Sequence, residues 1–325
     1  MSSCICIRLE SYQAAHPGFV SQPYSTEMTI IIEVNSVKSS IAINILTLVV
    51  AVSAAFAAAV GLFWRDGGSL FSFSTLRDQT VQIFGRGIYR YDTLFFGAGF
   101  KVQDAVVLFI GVPLLIIALL RSQHGSAIGQ LLLLGLLGYF LYVYASMALG
   151  ASYNRLFLLY IIILSASLFA FIQAFSNVDL DMIAAHIPQG LPIRGLAIFM
   201  FVAGLVTLFV WGGPLATALV KGTPPERMDS YTTMVTYALD LAVITPATFL
   251  CAVLVLRGEP LGYAIAVPLL TLIILLAPQI ILSTVFQRSA GVPFTTGEMV
   301  GPVAGFVILG LLASWLLVSI LRAIR

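Results

Sequence analysis

The chain has 325 residues, 60% of them hydrophobic and only 9% charged, with a mean hydropathy of +1.03. Soluble domains carry about 25% charged residues, so this composition cannot build a water-facing surface and demands the lipid bilayer as its partner. A net charge of +2 without a clustered basic face excludes a nucleic-acid partner.

The stretch before Ser39 is polar, irregular and without a signal-peptide core, and Met28 offers an alternative start. From there to Arg325 the chain reads as one transmembrane domain. Apolar runs separated by charged or Gly/Pro breaks predict about eight spans: Ile41–Phe63, Lys101–Leu120, Ile128–Leu149, Leu156–Phe175, Ile193–Val210, Tyr237–Leu256, Leu261–Phe286 and Met299–Leu321. The first contains "SAAFAAAVG", whose Ala-x-Ala triplets a signal peptidase could cut, but it is long enough to cross and reads as an uncleaved helix. Each span must pair its own backbone groups in hydrocarbon, and the alternation of outer-membrane strands is absent. The fold class is therefore all-α and polytopic.

The first loop, "RDGGSLFSFSTLRDQTVQIFGRGIYRYDTLFFGAGF" (Arg65–Phe100), is the largest element outside lipid. It mixes Arg77, Asp78, Arg86, Arg90 and Asp92 with aromatics, a pattern that suits local salt bridges in a cap over the membrane surface. Short turns holding Arg121, His124 and Arg257, and the tail residues Arg322 and Arg325, put both termini on the cytoplasmic side. The longer loops, Arg65–Phe100 and Trp211–Thr236, then lie outside.

"DAVVLFIGVPLLIIALLR" (Asp104–Arg121) and "DLAVITPATFLCAVLVLR" (Asp240–Arg257) have the same length, and each holds a proline. They read as a parallel four-plus-four repeat with halves at 40–180 and 190–325, or as the ordinary preference of helices for an acid at the start and a base at the end. Pro113, Pro246, Pro268 and Pro278 are expected to kink their spans, and Thr295 with Glu298 fits a capping box.

Asp240 is the most informative polar residue. It lies about six residues from the centre of its span, or roughly 10 Å at 1.5 Å per residue, inside a hydrocarbon half-thickness of about 15 Å. Its side chain is too short to snorkel, so it needs a partner, a proton or water. Tyr144, Asn154, Arg155, Tyr160 and Gln279 fall at similar depth. Asp229, Thr233 and Thr236 would form a polar stripe leading to it, and Asp104 is the equivalent acid if the repeat holds. The alternative is a first-turn acid neutralised by Arg155 that merely holds helices together.

Cys4, Cys6 and Cys251 are too few and scattered for a redox pair or zinc site, and His16, His124 and His186 fall outside the spans. No cofactor or catalytic residue is expected. "SYTTMVTYALDLAVITP" together with "GYFLYVYASMALGASYNRLFLLY" resembles a group of bacterial multi-span membrane proteins. The resemblance covers most of the chain after Ser40 and implies a bacterial cytoplasmic-membrane location, without carrying over any functional residue.

Three functions remain open at this point. A carrier for a small solute or cation would use Asp240 and Asp104, with Arg155, Asn154, Tyr144, Tyr160, Thr236 and Gln279 shaping the cavity. A membrane subunit or sensor would bind a protein partner through the first loop. An enzyme acting on a lipid-linked substrate would have Asp92, Asp104 and Asp240 as its outer-half acids.

Overall fold

Backbone groups in hydrocarbon must pair within their own segment, and eight helices long and apolar enough to cross a membrane do so here. Numbered first to eighth in chain order, these spans are Ile41–Phe63, Leu94–Gln123, Ala127–Gly150, Phe157–Ser176, Ile193–Lys221, Val235–Leu256, Pro260–Ser289 and Thr296–Ala323. The structure is a computed structural model that describes residues 36–186, 193–225 and 227–324. Met28, Cys4, Cys6 and His16 lie outside the described residues. The chain divides into Met1–Ile41 and Ala42–Arg325. Of the first unit only the opening of the helix Ser36–Phe63 is described; the second unit holds the helical bundle. The chain is an all-α, multi-pass membrane protein.

Three boundaries differ from the hydropathy reading, each for a local reason. The second span starts at Leu94 rather than Lys101, because Thr93 caps it, accepting from the Phe96 N–H at 3.5 Å. Lys101 can stay inside the helix because its Nζ donates to the Leu62 carbonyl at 3.1 Å. The fifth span runs through Trp211, Gly212, Gly213 and Pro214 to Lys221, although these residues read as a break. In a membrane such residues can continue a helix. The sixth span starts at Val235, so Asp229 and Thr233 belong to the preceding loop. Arg227 and Asp229 take φ of 66° and 47° there, a left-handed backbone that a helix cannot contain. The polar stripe therefore shrinks to Thr236 in the first helical turn.

The first span shows how the bundle sorts lipid from protein. Ile45, Leu48, Val52 and Phe56 are exposed, while Thr47, Val50, Ala54, Ala57 and Ala58 are buried on the other face. The third span lies at the centre: 72% of its apolar window is buried, against 28–44% for the others. It packs on the second, fourth and seventh spans, and the seventh also packs on the second, sixth and eighth. Small residues permit these approaches. Gly135 marks a close approach of the third and seventh spans, where a Cβ would sit 2.3 Å from Thr271 Oγ1.

The second and sixth spans share a distortion. Val112 N–H donates to the Val107 carbonyl, and Thr245 N–H to that of Asp240, five residues back rather than four. Each wide π turn, Val107–Gly111 and Asp240–Ile244, is followed by a proline, Pro113 or Pro246. A proline ring clashes with the carbonyl four residues earlier in a regular helix, and the wider turn relieves that clash.

The first loop is ordered. Phe71–Ser74 and Thr80–Ile83 pair antiparallel as β1 and β2, Phe71 opposite Ile83 and Ser74 opposite Thr80. Asp78 turns the chain at φ 55°, and the Thr75 hydroxyl accepts from the Arg77 and Gln79 N–H groups. The hairpin is tied to the loop before the sixth span by Arg77, which donates to the carbonyls of Asp229 and Tyr231 at 3.4 Å. That loop is clamped in turn by Arg227, stacked over Phe95 and Phe294 and paired with Glu298 at 3.3 Å. Thr295 and Glu298 form the expected capping box.

Gly135→Ala is expected to destabilise the protein by about 1–3 kcal/mol through overpacking against Thr271. Gly213→Ala, where a Cβ meets nothing within 4 Å, should be neutral or slightly stabilising. Thermal unfolding of the two variants in detergent checks the contrast.

Candidate functional site

Two carboxylates are buried within the spans, Asp104 and Asp240, and neither is paired with a cation among the described residues. Asp240 is 9% exposed and opens the π turn of the sixth span. Tyr142 of the third span donates to its Oδ1 at 2.8 Å, and Trp211 of the fifth span donates to Oδ2 at 2.6 Å. The Trp211 indole lies 4.3 Å, centroid to centroid, from the Tyr237 ring one turn before the acid. Each bond to a charged group contributes about 1.5–3 kcal/mol, enough together to offset part of the cost of carboxylate burial.

Asp104 is 4% exposed and lies deeper than the hydropathy boundary implied. It is ten residues into its helix from Leu94, or about 15 Å at 1.5 Å per residue. Tyr89, folded in from the first loop, donates to its Oδ2 at 2.6 Å. Tyr139 and Tyr144 of the third span and Tyr160 of the fourth surround it closely enough to feel its charge. The first span makes room by presenting Gly61, where a Cβ would fall 1.8 Å from Asp104 Oδ2.

The residues grouped around Asp240 from sequence are therefore divided. Tyr144 and Tyr160 belong to the Asp104 cluster, and Tyr144 donates to the Ala54 carbonyl at 3.4 Å. Asn154 stands beside Tyr160, accepting from Leu156 N–H at 2.9 Å and donating to the Ser152 carbonyl at 3.3 Å. Arg155 does not neutralise Asp240; its guanidinium lies 5.7 Å over the exposed Trp64 ring. Gln279 donates to Gln103 at 3.2 Å, beside Asp104 in sequence, and its own Oε1 is buried without a partner. Only Thr236 stays near Asp240, its backbone carbonyl accepting from the Asp240 N–H. Trp211, Tyr142 and Tyr89 are the partners that sequence reasoning did not assign.

A third acid lies beneath the loops. Asp92 is fully buried just before the second span. Its Oδ1 accepts from Ser152 N–H and from the Tyr231 hydroxyl, both at 2.8 Å, while Oδ2 has no partner. Burial raises its pKa to about 6, against the lowering effect of the Ser152 and Tyr231 bonds. Loss of hydration raises the pKa of neighbouring Asp229 as well. Asp66 is the opposite case: the Gly87 N–H at 2.8 Å, with lesser help from Gly68 and Arg90, holds its carboxyl below the usual range. The expected salt bridges of the first loop thus reduce to Arg90 with Asp66 at 3.4 Å, whereas Arg86 packs over Phe84.

Among the described residues no three His, Cys, Asp or Glu side chains converge as a metal site. An open groove of about 580 Å³ runs between the seventh and eighth spans, lined by Ile281, Val285, Arg288, Met299, Val300 and Val303. Neither intramembrane carboxylate lines it. Comparison with protein-family models, curated proteins and solved structures finds no match, so the functional reading rests on the geometry of these groups.

The raised pKa of Asp92 gives a pH dependence with a definite sign. Below about pH 4 the acid is protonated in both folded and unfolded chains. As pH climbs from about 4 to about 6, the unfolded chain releases its proton first. Folded stability should therefore fall by up to about 3 kcal/mol over that window and stay level above it. Asp92→Asn should remove this contribution, seen as a flatter profile of thermal unfolding against pH.

Proposed function

We propose that the protein is a carrier for a small solute or ion, in which Asp240 and Asp104 bind a proton or cation during transport. The observation that supports this most directly is that both acids are held by neutral donors alone. A permanently charged buried acid is ordinarily paired with an opposite charge. A tyrosine hydroxyl donates to a carboxylate and, after rotation, accepts from a carboxylic acid. Tyr142 beside Asp240 and Tyr89 beside Asp104 can therefore keep a hydrogen bond to the acid in either protonation state. Trp211 can only donate, and it keeps Oδ2 of Asp240 as its acceptor in both states while Tyr142 turns. This donor set tolerates gain and loss of a proton in a place where an unpaired charge is costly.

The helix geometry is compatible with the same reading. A π turn followed by proline occurs in the second and sixth spans, which correspond under a four-plus-four repeat. The second packs on the third as the sixth packs on the seventh, and the third and seventh meet between the halves. Aligning the two π turns places Asp240 opposite Val107, whereas aligning the flanking Asp and Arg places it opposite Asp104. We read these as two halves whose acids have drifted by almost one turn. Distorted helices meeting near the membrane centre are a recurrent setting for transporter sites.

One observation favours a second reading, a subunit that docks a protein through the first loop. The hairpin exposes Leu70, Phe71, Phe73 and Leu76, with Leu76 fully exposed at its turn. Co-purification of one stoichiometric protein, lost in Leu76→Asp, is the outcome this reading expects.

For the carrier, membrane vesicles loaded with a pH-sensitive dye and challenged with a panel of small solutes should show solute-evoked proton movement. Asp240→Asn should abolish it, and Asp78→Asn, at the exposed hairpin turn, should leave it intact. Equal responses in the two variants would remove Asp240 from the mechanism.

A further inference from the structure

We propose that the groove between the seventh and eighth spans binds an anionic phospholipid, with an acyl chain laid along its walls and the phosphate held by Arg288. The groove encloses about 580 Å³, within the range of about 300–1,000 Å³ found for ligand sites. Its walls are Ile281 and Val285 from the seventh span and Val300 and Val303 from the eighth. Thr284 and Ser289 also line it, but their hydroxyls donate back to the Ile280 and Phe286 carbonyls of their own helix. Among the described residues that line the groove, Arg288 alone is charged.

The position of that charge matches a lipid. Arg288 lies in the last turn of the seventh span, and Ile281 is about 10 Å deeper at 1.5 Å per residue. The cation therefore stands at the membrane boundary with the apolar walls running inward from it, the order of phosphate and acyl chain in a phospholipid. Arg288 is exposed, and no carboxylate pairs with it among the described residues. One Nη1–H is directed at the Met299 thioether at 3.1 Å, a weak acceptor that leaves the other guanidinium donors for a phosphate. Glu298, the acid of the eighth span, is taken up instead by Arg227 and by Thr295.

The packing of the eighth span leaves the groove open. A Cβ on Gly310 would fall 2.7 Å from that of Ala277, so the two spans are in tight contact there. A Cβ on Gly297, Gly301 or Gly305 would meet nothing within 4 Å, so the first turns of the eighth span lack protein cover on that side. A second copy docking on the same face is the competing occupant. A two-fold contact would bring another Arg288 and no acid from the groove, burying guanidinium charge without compensation. An anionic headgroup supplies the missing charge, and arginine meets phosphate with paired N–H donors. Basic pockets between spans are a recurrent setting for such headgroups.

Lipid binding at this groove is independent of transport and is tested without it. The full chain in detergent is titrated with phosphatidylglycerol or phosphatidylethanolamine, and bound lipid is counted by native mass spectrometry. Phosphatidylglycerol should be retained in preference to phosphatidylethanolamine. Arg288→Gln should weaken its retention about ten-fold, the effect of losing charge-assisted hydrogen bonds, and bring the two lipids level. Ala304→Phe, which fills the groove, should reduce phosphatidylglycerol binding with the arginine still in place. Arg322→Gln, in the last turn of the eighth span, should bind as wild type does. Excess inorganic phosphate should leave the lipid in place, because the chain contributes to holding it. Equal retention of the two lipids by wild type overturns the proposal, as does unchanged binding in Arg288→Gln or Ala304→Phe. Equal loss in Arg322→Gln, or displacement by phosphate, overturns it too. A lipid-free dimer broken by Ala304→Phe would also overturn it and assign the face to a second copy.

Discussion

A carboxylate buried among lipid-embedded helices has to be compensated from within the protein. In this chain the compensation comes from phenol and indole hydrogens. Asp240 brings together the third, fifth and sixth spans through Tyr142 and Trp211. Asp104 draws Tyr89 down from the first loop and needs a glycine, Gly61, on the first span to fit at all. Five of the eight spans and the largest loop are thereby positioned around two acidic side chains. Apolar packing between lipid-facing helices gives little preference for one neighbour over another, whereas these bonds have unique partners.

The loops on one face extend the same logic outward. Asp92 binds the turn before the fourth span through Ser152 and the loop before the sixth through Tyr231. Arg77 directs its donors to backbone carbonyls of that loop, and Arg227 is clamped between two phenylalanine rings and Glu298. Four connections are thus fastened into one cap directly above the ends of the second and sixth spans.

Much of the fold was legible in the sequence because hydrocarbon imposes a length and a composition on every crossing segment. The eight apolar runs and the burial of Asp240 followed from that constraint alone. The partners of the acids did not. Trp211 was hidden by Gly212, Gly213 and Pro214, which resemble a helix end in water but continue the helix here. Tyr142 lies 98 residues from Asp240, and no periodicity links them. Tyr89 lay in a loop whose alternating charges suggested salt bridges, while its geometry is set by buried hydrogen bonds. Arg155 was drawn toward Asp240 by charge, although the nearby Trp64 ring offers it a place at the surface without burial.

The indole bonded to Asp240 has a spectroscopic consequence. The chain has three tryptophans; Trp64 and Trp315 are exposed on the bundle surface, and Trp211 is half-buried with its ring nitrogen on a carboxylate. A negative charge at that nitrogen perturbs the excited-state dipole of indole, and neutralising the acid alters emission colour and lifetime. With the surface pair replaced by phenylalanine, fluorescence from the remaining ring becomes a label-free optical gauge of whether the sixth span carries its charge.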